Sequence, residues 1–167
     1  HVQEFCHMLN SMGAKISGAG TSTVTIEGNC STINRTGNKD IRFFTVVGYS
    51  VNDPGNPADL TLNDLTLTNA KQQYFNGGAL YVFYGGLTIN GCTITGTKAY
   101  SGAVYGSNAD IVITNSTLSN NTAYAGGAIY GSDSDIHITD STIANNTANY
   151  YGGGVSAFLG SLTLVDT

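Results

Sequence analysis

Tryptophan is absent from this chain, proline occurs twice, and charged residues make up 10% of its 167 positions. Together with 22 glycines and a hydrophobic share of 41%, this suits a tightly wound β architecture better than a disordered chain. No apolar run is long enough to span a bilayer, so a transmembrane helix is excluded and no membrane insertion is expected. No secretory leader stands at the start, and the opening on His1 rather than Met fits a leader already removed or a trimmed start. Basic residues are missing after Lys98, whereas Asp110, Asp133, Asp135, Asp140 and Asp166 follow it unopposed. With a formal net charge of -5, that half repels a phosphate backbone, which argues against nucleic acid as a partner. The three cysteines, Cys6, Cys30 and Cys92, are an odd number without metal-ligand spacing.

What is present is a repeat. Ile111 to Ala123 leads into Gly126-Gly127-Ala128-Ile129-Tyr130, and Ile136 to Thr147 leads into Gly152-Gly153-Gly154-Val155. Earlier copies run from Leu87 into Gly102-Ala103-Val104-Tyr105 and from Leu60 into Gly77-Gly78-Ala79-Leu80-Tyr81, and a shortened one opens at Leu162. The starts are 27, 24, 25 and 26 residues apart, a spacing that belongs to stacked repeats and not to a single globular core.

Within a copy, apolar residues such as Ile111, Ile113 and Leu118, or Ile136, Ile138 and Ile143, recur with Thr, Asn or Ser between them, the signature of half-buried strands. A glycine pair then allows a bend that a Cβ would obstruct. Each unit therefore reads as three short strands and three turns. None can bury its apolar edge alone, so the copies stack into a parallel β-helix of about six coils.

Stacking makes columns. Leu67, Ile94, Leu118 and Ile143 share one inward slot, and Leu80, Val104, Ile129 and Val155 another. Tyr81, Tyr105 and Tyr130 fall on the outer face, with Phe75, Tyr100, Tyr124 and Tyr150 approaching the same edge. Asn69, Asn120 and Asn145 recur as an amide ladder, and Asp64, Asn115, Asp140 and Asp166 as turn residues. Cys92 takes the slot of Leu65, Ser116 and Ser141, which makes it a small buried thiol.

Val2, Phe5, Cys6, Leu9 and Met12 recur at helical spacing and Gly13 closes the pattern, so residues 1–14 are expected to form a helix that caps the open first coil. Residues 15–167 form the solenoid, interrupted by an irregular loop at 48–59 that holds Pro54 and Pro57. The chain stops inside a coil at Leu162 to Thr167. Either it is truncated there, or the open end pairs with another chain and builds a filament.

Asn-Asn-Thr-Ala followed by Gly-Gly-Ala-Ile, at Asn120 to Ile129 and again in variant form at Asn145 to Val155, resembles the repeats of chlamydial polymorphic outer-membrane proteins and related bacterial adhesin-like β-helices. The resemblance covers residues 60–167 and, loosely, 15–59. It implies a right-handed parallel β-helix outside the cell or on a bacterial surface, serving as an adhesin-like passenger. Separately, Leu9-Asn-Ser-Met-Gly-Ala-Lys-Ile-Ser-Gly-Ala-Gly20 through Thr25-Ile-Glu-Gly28 resembles one helix-strand-strand unit of UDP-N-acetylglucosamine enolpyruvyl transferases. That likeness stops at Asn29, and no counterpart of the family's catalytic cysteine loop follows. It implies a fused fragment or first-coil text, not a transferase.

No catalytic constellation is visible, so a non-enzymatic adhesin-like passenger or structural spacer is expected, with no required cofactor and a host or surface glycan or protein as receptor. Two outward ladders are candidate binding faces. The aromatic one, Tyr81, Tyr105, Tyr130, Tyr100, Tyr124 and Tyr150, could stack on sugar rings or on itself. The other, Thr66 and Thr68, Thr93 and Thr95, Thr117 and Thr142, resembles the ice-binding face of some β-solenoid antifreeze proteins. Asp110, Asp133 and Asp135 are a candidate calcium site, since their oxygen ligands suit that cation. A polysaccharide lyase or hydrolase is favoured only if the loop at 48–59 brings Asp53 or Asp59 beside a carboxylate-lined groove.

Overall fold

The computed structural model describes residues 15–18, 22–48 and 57–167. The expected helix at residues 1–14 and positions 49–56 of the loop lie outside this set. Among the described residues there is no helix, and none long and apolar enough to cross a membrane.

Strand β1 (Lys15–Ser17) lies antiparallel beside β2 (Thr23–Asn34), which with β3 (Phe44–Val47) makes an incomplete opening turn. The next turn holds β4 (Ala58–Thr68), β5 (Lys71–Asn76) and β6 (Leu80–Phe83). After it come β7 (Gly85–Asn90), β8 (Thr93–Thr95), β9 (Lys98–Ser101) and β10 (Val104–Ser107). A third repeats this as β11 (Asp110–Thr114), β12 (Thr117–Ser119), β13 (Thr122–Ala125) and β14 (Ile129–Ser132). The fourth is β15 (Asp135–Thr139), β16 (Thr142–Ala144), β17 (Thr147–Tyr150) and β18 (Val155–Phe158), and β19 (Leu162–Val165) begins another. The described residues thus hold about four full turns instead of the six coils expected, because the first and last are incomplete.

Successive turns pair in parallel, in a ten-stranded, a five-stranded and a four-stranded sheet. The ten-stranded sheet wraps two sides of the coil, since β4 pairs with β7 through Asn63 and with β8 from Thr66. Each turn therefore has four sides, one more than the alternation suggests. The reason is one residue with positive φ between the sides: Asp64 at 51°, Asn115 at 48° and Asp140 at 49°. A left-handed residue turns the chain and resets the in-out parity, so Leu62 and Leu65, three apart, both point inward. Asn, Asp and Gly accept that conformation at least cost.

The expected inward columns are in register: Leu67 with Ile94, Leu118 and Ile143, and Leu80 with Val104, Ile129 and Val155. Leu62, Leu67, Ile89, Ile94, Ile111, Ile113 and Leu118 are fully buried, each contributing about 1.5–3 kcal/mol by leaving water. In β19 the inward slots are open: Leu162 is 40% and Leu164 54% exposed.

Polar groups inside the coil are satisfied from turn to turn. Asn121, fully buried, accepts from the Thr97 N–H at 3.0 Å and donates to the Ile94 carbonyl and the Asn146 amide oxygen, both at 3.0 Å. Asn146 in turn donates to the Leu118 carbonyl at 2.8 Å. The buried amide ladder thus runs one residue later than expected. Asn69, Asn120 and Asn145 hold the positive-φ corners at 55° to 61° and are exposed. Ser116 and Ser141 use their hydroxyls in the same way, accepting from the N–H groups of Cys92 and Ser116. Cys92 is buried as expected, and burial pushes its thiol pKa up. Cys30 and Cys92 are both free thiols.

Candidate functional site

Because inward positions are filled by this packing, chemistry is left to the outward columns and the recesses at the corners. The tyrosine columns form as aligned. Tyr81, Tyr105 and Tyr130 are direct partners on β6, β10 and β14, with rings stacked at 5.4 and 5.7 Å and within 5° of parallel. Arg42 covers the free face of Tyr81, its guanidinium carbon 4.9 Å from the ring centroid, anchored on the carbonyls of Gly77 and Asn76. Burial, and then the neighbouring Tyr81 and Tyr130, push the Tyr105 hydroxyl pKa up.

Tyr100 and Tyr124 stack at 5.3 Å on β9 and β13, and Tyr150 tilts against Tyr124 at 4.5 Å although its backbone partner is Ala125. The two columns belong to different sheets and flank the glycine corner, so they do not make one ladder. At that corner Gly126 has φ +56° and a Cβ on Gly127 would lie 2.1 Å from the Gly153 carbonyl oxygen, so only glycine fits. In each column the tyrosines turn their faces to one another and offer edges and hydroxyls to solvent. Of the two modes the sequence left open, stacking of the column on itself is the one observed, and it leaves a sugar ring only the end faces.

The threonine ladder is longer than expected. Thr32 precedes Thr66, Thr93, Thr117 and Thr142 in one unbroken column. The companion column reads Asn34, Thr68, Thr95, Ser119 and Ala144, so a two-column threonine surface exists only across β4 and β8.

At the corner between β6, β10 or β14 and the following strand lies an open recess of about 560 Å³, lined in part by Asp59, Asp110, Asp133 and Asp135. The end of the irregular loop does bring Asp59 there, while Asp53 lies outside the described residues. Asp59 accepts from the Gly86 N–H at 2.9 Å. Asp135 accepts from the Ser161 hydroxyl at 2.6 Å and its N–H at 3.2 Å, and these bonds hold its carboxyl pKa below the usual value. No three His, Cys, Asp or Glu side chains among the described residues converge as metal ligands. Asp110, Asp133 and Asp135 share the recess without forming a cation cage.

Sequence reasoning passed over a second charged feature. Arg35, Lys71 and Lys98 line a recess of about 470 Å³ with Asn38, Asn69 and Gly96. A further one, of about 550 Å³, uses the same two lysines with Thr122, Tyr124 and Asn149 among its walls. The 27-residue step between Lys71 and Lys98, one repeat period, is the signal that would have found them.

These features define the class: a parallel β-solenoid repeat protein. No family model matches the chain, and no solved structure matches it. A short stretch does find curated relatives: 28 residues are 71% identical to the UDP-N-acetylglucosamine 1-carboxyvinyltransferase of Treponema denticola and 61% identical to that of Treponema pallidum. The match takes in 17% of this chain and 7% of either relative, so the chain spans a small fraction of the length of these enzymes. Its length agrees with that of the transferase-like stretch read at the start of the sequence, and most of the chain lies outside the match.

Proposed function

We propose that the chain is a non-enzymatic, right-handed parallel β-helix displayed outside the cell, an adhesin-like passenger or structural spacer. Right-handedness follows the rule for parallel crossovers. The observation that carries the reading is the register. Outward side chains repeat in columns from turn to turn, and the polar ones are taken up largely by their neighbours, Tyr105 by Tyr81 and Tyr130, Ser119 by Thr95. Such a body offers extended surface and, among the described residues, no converging reactive set. The test is to treat intact producing cells with protease and follow the chain. Loss of the protein with cytoplasmic markers untouched is the expected result, and full protection inside the cell overturns the reading.

A second reading, a polysaccharide lyase or hydrolase, has Asp59 in the acidic recess in its favour. Against it, Asp59 and Asp135 are held by backbone and serine donors, and the lowered Asp135 pKa is the wrong direction for a general acid. Polygalacturonate incubated with the chain is expected to stay intact. Cleavage lost in Asp110→Asn would establish the enzyme instead.

A further inference from the structure

The chain carries a formal net charge of -5, yet three of its six basic residues meet at one place. Lys71 and Lys98 are direct partners on β5 and β9, which sets their backbones about 4.8 Å apart. Like charges so placed destabilise a sheet unless something opposes them. Asp40 opposes Lys71 at 3.0 Å, but no acidic side chain among the described residues pairs with Lys98. Arg35 is held flat against the corner by the carbonyls of Asn69, Gly37 and Lys39. Those carbonyls bring no negative charge, and Asp40, whose carboxyl pKa Lys71 and then Arg35 help to lower, is shared with Lys71.

The two lysines stand between two recesses, and the second continues along β13 to Tyr124. Two residues past Lys98 on the same strand stands Tyr100, stacked on Tyr124 and presenting its edge. A cationic row therefore runs beside a row of phenol edges, both at the repeat of the coil. Cations one strand spacing apart suit a polymer with anionic groups along it, and phenol edges suit hydroxyls. A neutral sugar would leave Lys98 unopposed.

We propose that this groove binds an acidic polysaccharide, with its carboxylate or sulfate groups on Arg35, Lys71 and Lys98 and its hydroxyls along Tyr100 and Tyr124. The proposal deepens the adhesin-like reading and rests on it for the setting outside the cell, whereas the binding is a property of the isolated chain.

Calorimetry with the 167-residue chain tests it, using a heparin-derived hexasaccharide, hexagalacturonate, maltohexaose and inorganic sulfate as probes. At least one acidic hexasaccharide is expected to bind, more weakly as salt rises, with maltohexaose silent; which of the two binds tells sulfate from carboxylate recognition. Lys98→Gln, which leaves the Lys71–Asp40 pair intact, should weaken binding about tenfold, and Lys98→Arg should restore most of it. Lys15→Gln, a basic residue elsewhere, should change it less than about twofold. Binding of maltohexaose, equal loss in Lys15→Gln and Lys98→Gln, displacement by sulfate as readily as by hexasaccharide, or no binding at all overturns the proposal. A chain found on the cell surface that ignores acidic sugars sinks this inference alone; one that binds them but stays inside the cell sinks only the adhesin-like reading.

Discussion

Asn120 and Asn121 are the same residue type at adjacent positions, and replacing each by alanine should have very different consequences. Asn121→Ala removes three hydrogen bonds, two of them fully buried, and leaves the Thr97 N–H and the Ile94 carbonyl without these partners inside the coil. Each stranded buried group costs about 1–3 kcal/mol, and the emptied amide volume adds to that. A loss of about 3–5 kcal/mol is expected, a large share of the usual 5–15 kcal/mol for a domain. Asn120→Ala loses a 3.3 Å bond to the Ser119 hydroxyl at an exposed corner with φ 56°. Its cost is mainly that of alanine in the left-handed region, about 1–2 kcal/mol. Urea unfolding followed by circular dichroism measures both, and equal slopes would show that the denatured states are comparable. Equal losses in the two variants, or a loss in Asn121→Ala below about 1 kcal/mol, would refute the buried ladder.

Four further outcomes are expected. Leu159 sits at φ 55° in the slot of Asn108 and Asp133 and is 71% exposed, so Leu159→Asn should stabilise the chain by about 1 kcal/mol; a lower melting temperature would contradict the corner rule. The Thr97 hydroxyl is buried without a partner, so Thr97→Val should gain about 1 kcal/mol, read in the same unfolding assay. The lowered Asp135 pKa means that its stabilising bond to Ser161 is fully present above the ordinary carboxylate value of 3.8 and fades as pH falls through the folded value. Asp135→Asn should therefore flatten the acid limb of a stability-against-pH curve, and an unchanged limb counts against the assignment. Iodoacetamide should label exposed Cys30 in the folded chain and spare Cys92, whose thiol is buried with a raised pKa, until denaturant is added; equal labelling by mass spectrometry contradicts the packing.

Spacing alone was enough to align Leu67 with Ile94, Leu118 and Ile143, because a parallel solenoid repeats its inward slots in the sequence. The fourth side was hidden, since one left-handed residue such as Asp64 or Asn115 divides what reads as a single strand. Doublets misled for the same reason: in Asn120-Asn121 the first asparagine takes the corner and the second the interior, and their order carries the difference. Thr32 escaped the threonine column because the register shifts between Glu27 and Ser31, around two successive positive-φ residues, Asn29 and Cys30. Candidate sites were less legible than columns. Arg35 reaches Lys71 and Lys98 through a corner, and the stacking of tyrosine on tyrosine that covers the ring faces depends on side-chain torsions that residue spacing does not report.

In-register stacking also has an evolutionary side. Duplicating one turn copies a complete scaffold, since each new strand finds partners above and below without any inward residue changing. The outer rows are then free to drift independently. The row that reads Lys71, Lys98, Thr122 and Thr147 does this, with charge in two copies and hydroxyls in the next two, while the neighbouring row, Gln72 in the first copy, is alanine at Ala99, Ala123 and Ala148. A lineage carrying such a scaffold can rewrite what it touches one position at a time, and lengthen or shorten by whole turns, without having to solve the folding problem again.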